Sequence, residues 1–170
     1  MREKAHNTKK FLYYVPYLYF DHIHNNRPMV EIPISAKMMG YESILLIGRK
    51  ATKEQIGIRV IETGIYSHNQ NDRNLSGVLR EAWRAYMNFR NLLPEYAVFH
   101  GNYAPSLIVA ILTRATHIFF RKYNRPKIAL KLDWDGDLKY FKILSRIFYT
   151  AFILASSFHL HMVSEENKPC

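Results

Sequence analysis

The sequence predicts an α/β protein built on a doubly wound, mostly parallel six-stranded sheet. Short apolar runs that read as strands alternate with longer stretches of helical periodicity. The run "ESILLIGR" is apolar without alternation, the pattern of a strand covered on both faces. Polar residues also gather where strands give way to helices, the edge at which open sheets bind ligands.

Taken in order, "KFLYYVPYLY" (Lys10 to Tyr19) reads as a first strand, with Pro16 limiting how far its ladder continues. The loop "FDHIHNNRP" follows. From Pro28 to Met39 the apolar residues Met29, Val30, Ile32, Ile34, Ala36 and Met38 predict a helix despite Pro33, with Pro28 in its first turn and Gly40 as its stop. "ESILLIGR" is the second strand and "GIRVIETGI" (Gly57 to Ile65) the third. The stretch "YSHNQNDRN" (Tyr66 to Asn74) is an exposed loop. The next helix takes Ser76 as N-cap and presents Val78, Leu79, Ala82, Trp83, Tyr86, Phe89 and Leu93 as an inward stripe. "EYAVFHG" is a fourth strand, "APSLIVAILTRATHIFFRKYN" a helix, "RPKIALKLDWDG" a fifth strand, "DLKYFKILSRIFYTAFILASS" a helix and "FHLHMVSEE" a sixth strand. Alternation of this kind implies right-handed crossovers.

The chain of 170 residues makes one ordinary domain or half of a larger enzyme, and 48% hydrophobic residues supply a core. Its lone cysteine, Cys170, excludes an internal disulfide framework and suits a reducing cytoplasm. The net charge of +10 points to nucleic acid, an anionic membrane or a phosphorylated substrate. Between Thr113 and Thr150 nine basic residues (Arg114, Arg121, Lys122, Arg125, Lys127, Lys131, Lys139, Lys142 and Arg146) stand against three Asp. Phe119, Phe120, Tyr123, Tyr140, Phe141 and Phe148 are interleaved with them, a mixture suited to a bilayer headgroup zone or to a solvated basic face. No recognised aromatic RNA-binding motif is present, so nucleic acid is not expected. The amino terminus "MREKAHNTKK" lacks the apolar core of a secretory signal, and no run reaches the about 20 apolar residues of a spanning helix. The chain is expected to be soluble or peripheral.

Candidate chemistry lies at the strand ends. His100, Gly101 and Asn102 follow the fourth strand, and Asp133 with Asp135 ends the fifth in "DWDGD". Such carboxylates can chelate a divalent ion, take a proton from a sugar hydroxyl, or simply make a turn. Asn25, Asn26 and Arg27 stand before a helix, where free N–H groups and a guanidinium hold an anion, although the glycine of a usual phosphate loop is missing. Ser164, Glu165 and Glu166 follow the sixth strand. "HIH" (His22 to His24) and "HLH" (His159 to His161) pair imidazoles without an evident third metal ligand, so no metal site is expected.

Three segments in order carry a family resemblance: "IPISAKMMGYESILLI", "EYAVFHGNYAPSLIVAIL" and "LHMVSEENK". Together they resemble the amino-terminal half of a GT-B glycosyltransferase of the retaining family 4, whose members include mannosyltransferases acting on phosphoinositide or polyisoprenyl-linked acceptors. The resemblance implies a Rossmann-like acceptor-side domain over residues 10–168, preceded by a flexible basic segment, residues 1–9. It further implies a nucleotide-sugar donor held mainly by a carboxyl-terminal domain outside this chain, a lipid-linked or glycan acceptor, and no resident cofactor. Two departures from the family pattern stand out. Asn25 and Asn26 replace a paired glycine, and Asp133 stands where a His is common.

On this reading His100 orients an acceptor hydroxyl and Asp133 polarises it, while Asn25, Asn26, Arg27, Gly101, Asn102, Ser164 and Glu165 line the substrates. The isolated chain is expected to be inactive. It is placed in the cytoplasm, at the inner face of the cell membrane. The rival expectations are a metal-dependent GT-A enzyme using Asp133 and Asp135, and a non-catalytic basic module binding membrane or RNA.

Overall fold

The computed structural model describes residues 9–20, 27–50, 57–65, 74–100, 104–119, 126–133 and 158–162. Its elements run β1 (Lys10–Phe20), α1 (Arg27–Met38), β2 (Glu42–Lys50), β3 (Arg59–Glu62), α2 (Leu75–Leu92), β4 (Tyr96–His100), α3 (Ala104–Phe119), β5 (Lys127–Asp133) and β6 (Phe158–Met162). The strands hydrogen-bond in the order β3-β2-β1-β4-β5-β6, and each neighbouring pair is parallel. The chain winds outward from β1 in one direction, returns, and winds outward from β4 in the other. The expected open, parallel, Rossmann-like α/β sheet is therefore present. The helix expected between β5 and β6 lies outside the described residues.

The central strand explains the layering. Leu12 and Tyr14 pack with Ile44, Leu46, Phe99, Ile128 and Leu130 beneath α2 and α3. Tyr13 and Val15, on the alternate positions, pack with Val30, Leu45 and Ile47 beneath α1. A strand covered on both faces must be apolar at every position, which is why β1 and β2 show no alternation. Phe99 is the hinge of the larger cluster, its ring edge-on to Tyr14 at 6.1 Å and 5.6 Å from Phe89.

Pro16 shapes the carboxyl end of β1. The strand continues past it to Phe20, but its pairing with β4 ends at Tyr14 opposite Phe99, and its register against β2 shifts between Val15 and Tyr19. A proline has no N–H to give to a ladder, so regular pairing stops where the sequence places it.

Helix ends follow local chemistry. α1 carries Pro33 in its interior and closes in a Schellman arrangement, with Gly40 N–H on the Lys37 carbonyl at 2.9 Å and Tyr41 N–H on the Ala36 carbonyl at 3.1 Å. Gly40 has a φ of 89°, a conformation that favours glycine. α2 starts earlier than the sequence suggests. Asn74, not Ser76, is its N-cap: the Asn74 side chain accepts the Gly77 N–H at 2.9 Å and the Ser76 hydroxyl at 2.8 Å. Leu93 adopts a left-handed conformation that ends the helix, before Pro94.

The inward stripe of α2 also differs from expectation. Gly77, Glu81, Ala82, Ala85, Tyr86, Phe89 and Leu92 are buried, whereas Leu79, Trp83 and Leu93 are exposed. The small residues Gly77, Ala82 and Ala85 let that side of the helix approach the sheet, and the Tyr86 hydroxyl at its border pairs with that of Thr116 on α3. The third strand is shorter than expected, Arg59–Glu62 in place of Gly57 to Ile65, because Gly57 and Gly64 both have positive φ and leave the ladder.

The cap assignment predicts that Asn74→Ala lowers stability by about 1 kcal/mol, while Ser76→Ala changes it by less than about 0.5 kcal/mol. Urea denaturation of the two variants checks this, and equal losses would contradict it.

Candidate functional site

In a sheet of this order, the strand direction of winding reverses between β1 and β4, so the helices on either side diverge there and leave a crevice at the carboxyl ends. On that side the β1–β4 pairing ends at Tyr14 opposite Phe99, one residue before the end of β4. The amino end of α1 opens on the same edge, since α1 follows β1. Unpaired helix N–H groups there favour an anion.

His100 is the last residue of β4, in register with Lys131 of β5. Asp133 is the last residue of β5, about 7 Å further along the strand direction than Lys131. Arg27 is the first residue of α1. The backbone thus brings three of the expected site residues, from three elements, to the carboxyl rim. Asn25, Asn26, Gly101, Asn102, Ser164 and Glu165 lie outside the described residues, as do Asp135, Glu166 and the His22 to His24 pair. His159 and His161 are alternate positions of β6, in register with Leu130 and Leu132. Among the described residues no group of three or more His, Cys, Asp or Glu could hold a metal ion.

One polar cluster near this edge escapes a reading of the sequence. Glu81 of α2 is fully buried and accepts a hydrogen bond from the Tyr14 hydroxyl at 2.9 Å. Its second oxygen, Oε2, makes no hydrogen bond of normal geometry. Burial pushes its carboxyl above the ordinary glutamate range, opposed by the Thr63 and Tyr14 hydroxyls and by the Arg84 guanidinium. Thr63 directly follows β3, and its carbonyl accepts Arg84 Nη1 at 3.0 Å. Gly64 comes next with a φ of 78°, and a Cβ there would stand 3.2 Å from that same nitrogen. The cluster therefore ties the end of β3 to α2 and to the central strand, and it fixes the flank of the rim. The sequence signal for it was a charge at position 81 between buried Gly77 and Ala85, legible only once the stripe is centred one residue off the Leu79–Trp83 line.

The basic stretch beginning at Thr113 lies mostly outside the described residues, but the side chains of Arg114 and Lys127 are described. Arg114 is buried and donates from Nη1 to the Pro126 carbonyl at 3.2 Å, so it anchors α3 to the start of β5 rather than facing solvent or lipid. Lys127 is exposed, 5.0 Å above the Tyr96 ring and 3.2 Å from its hydroxyl. Among the described residues no helix is long and apolar enough to cross a membrane.

No family model matches the sequence, and no curated protein matches it. Solved structures do. A UDP-N-acetylglucosamine 2-epimerase superposes with a TM-score of 0.52 at 11% identity, over 90% of this chain and 42% of the epimerase. A Listeria monocytogenes protein described as a UDP-N-acetylglucosamine 2-epimerase gives 0.47 at 12% identity, over 90% of this chain and 39% of its own. The chain thus spans less than half the length of these neighbours. At such identity the likeness is one of fold.

Linkage gives the buried carboxyl a measurable signature. A glutamate whose pKa is raised by folding holds a proton that the unfolded chain has released, so its contribution to stability falls as pH rises above the ordinary glutamate range. Glu81→Gln keeps an acceptor for Tyr14 and should flatten that fall, whereas Glu81→Ala should cost about 1–3 kcal/mol by leaving the buried Tyr14 hydroxyl without this partner. Denaturant midpoints across mildly acidic to neutral pH test both. An unchanged pH slope in Glu81→Gln would show that Glu81 is not the titrating group.

Proposed function

We propose that this chain is the acceptor-side lobe of a two-lobed, GT-B-type enzyme acting on a nucleoside-diphosphate sugar, and that its reaction is glycosyl transfer to a lipid-linked or glycan hydroxyl. The observation that carries the reading is the carboxyl rim itself. A parallel sheet with its winding reversal between β1 and β4, superposable on a UDP-N-acetylglucosamine 2-epimerase, has an imidazole position ending β4 and a carboxylate position ending β5. The resemblance of its segments to retaining family 4 glycosyltransferases supports transfer over epimerisation, and a six-stranded sheet fits one half of that architecture.

In this reading the donor is gripped mainly by a lobe not contained in the 170 residues. The chain's own residues supply the acceptor half of the chemistry. His100 orients the acceptor hydroxyl, and Asp133 accepts a hydrogen bond from it, which raises the nucleophilicity of its oxygen. Arg27, with Asn25 and Asn26 before it, faces the donor diphosphate, where a guanidinium and the free N–H groups of α1 offset negative charge as the leaving group departs. Gly101, Asn102, Ser164 and Glu165 complete the substrate lining. Transfer of the glycosyl group breaks the bond from the anomeric carbon to the diphosphate oxygen and forms one to the acceptor oxygen, whose proton is released.

The test is transfer by the chain joined to its donor-binding lobe. His100→Ala and Asp133→Ala should each lower the rate by about 10²–10⁴-fold without altering the fold. Normal transfer in both variants would remove these roles. Tight, manganese-dependent binding of a nucleotide sugar by this chain alone, read by calorimetry, would instead support a metal-dependent enzyme using Asp133 and Asp135.

A further inference from the structure

The outward side of α2 is unlike an ordinary solvated helix face. Leu75, Leu79 and Trp83 recur at four-residue steps, so they form one ridge, and they are exposed by 74%, 51% and 58%. The Trp83 ring leans toward Tyr86, the rings 6.0 Å apart, and the Tyr86 hydroxyl bonds Thr116 of α3. The ridge therefore borders α3, whose Ile111 is also exposed. Contiguous exposed apolar side chains mark an interaction surface, unlike single ones scattered over a protein.

The charges beside the ridge select the partner. The exposed ionisable residues of α2 are Arg80, Arg84 and Arg90, all cationic, while its one acid, Glu81, is buried. The one charged residue among the described side chains of α3, Arg114, is buried too. A second copy packed by two-fold symmetry on this face would set arginines against arginines with no helix carboxylate to pair them. A leucine and tryptophan ridge on a helix whose exposed charges are all guanidinium groups matches the boundary between acyl chains and anionic headgroups, where tryptophan settles and arginine stems reach past the apolar layer to phosphate.

We propose that α2 is the docking face of this protein for an anionic lipid bilayer, with Leu75, Leu79 and Trp83 entering the headgroup boundary and Arg80 and Arg90 against lipid phosphates. α2 crosses back between the parallel strands β3 and β4, so its Leu75 end stands at the carboxyl side of the sheet. Docking through that end brings the rim bearing His100 and Asp133 toward the membrane surface. This last step rests on the proposed lipid-linked acceptor, whereas the docking itself stands on the exposed ridge and its charges.

The experiment uses vesicles of phosphatidylcholine alone or mixed in equal parts with phosphatidylglycerol, with no sugar nucleotide present. Trp83 and Trp134 are the two tryptophans, so a Trp134→Phe background makes emission report on Trp83. The expected result is co-sedimentation with the anionic vesicles, weakened by salt, with a blue shift of Trp83 emission. Leu75→Ser with Leu79→Ser should weaken binding by about tenfold or more while circular dichroism stays native, since both residues are exposed. Arg80→Glu with Arg90→Glu should do likewise. Absence of a blue shift, or binding indifferent to both double variants, overturns the proposal. So does self-association that the leucine variants abolish in a protein that ignores anionic vesicles, which would assign the ridge to a second copy. Failure here leaves transfer to a soluble glycan acceptor standing, and loss of transfer in the His100 and Asp133 variants leaves docking standing.

Discussion

The arrangement depends on one constraint: β1 is covered on both faces and must also stop pairing with β4 before its own end. The first requirement makes Leu12, Tyr13, Tyr14 and Val15 uniformly buried, with alternate residues feeding two separate cores. The second is met by Pro16, which cannot donate to a neighbour's carbonyl. Regular pairing with β4 ends at Tyr14, and the register against β2 shifts within the next few residues. Burial thus fixes Leu12 to Val15 of the central strand, while its register against β2 shifts around the proline and resumes at Tyr19 and Phe20, beside the place where the winding of the sheet reverses.

Around that opening, side-chain chemistry does different work on each flank. On the β3 side a buried glutamate, a tyrosine hydroxyl and an arginine bonded to a carbonyl hold the strand end rigidly against α2. Burying a carboxyl under a sheet is unfavourable unless it keeps its proton or gains donors, and here the Tyr14 hydroxyl serves while burial raises the pKa. On the β5 side β4 and β5 end in His100 and Asp133, placed by backbone register opposite Lys131 and Met162.

Much of this was legible in the sequence. The strands and helices follow from apolar runs and helical periodicity, because a doubly covered strand and an amphipathic helix leave different patterns. Placement of His100 and Asp133 at strand ends followed from the same runs. What the pattern concealed was rotation about helix axes. For α2 the apolar residues Leu79 and Trp83 suggested one inward line, yet small residues, Gly77, Ala82 and Ala85, are what fit against the sheet, and Glu81 goes in with them. Periodicity weighs hydrophobicity and not the space available, so a buried glutamate and an exposed tryptophan both fell on the wrong side. The Ser76 cap failed for a related reason: Asn74, two residues earlier, has an equally suitable side chain, and only the backbone turn chooses between them. Arg114 looked like part of a basic surface because composition cannot see the Pro126 carbonyl that receives it.

The proposed ligand chemistry belongs to the carboxyl rim where winding reverses between β1 and β4. Amide chemical-shift mapping of the isotopically labelled chain against inorganic pyrophosphate and a simple glycoside, probes of the proposed diphosphate and acceptor contacts, is the decisive experiment, since weak binding still moves resonances. Shifts are expected at the start of α1 and at the ends of β4 and β5, around Arg27, His100 and Asp133, with Lys10, Glu42 and Tyr96 at the opposite edge unmoved. Shifts confined to that opposite edge, or none at saturating ligand, would contradict it.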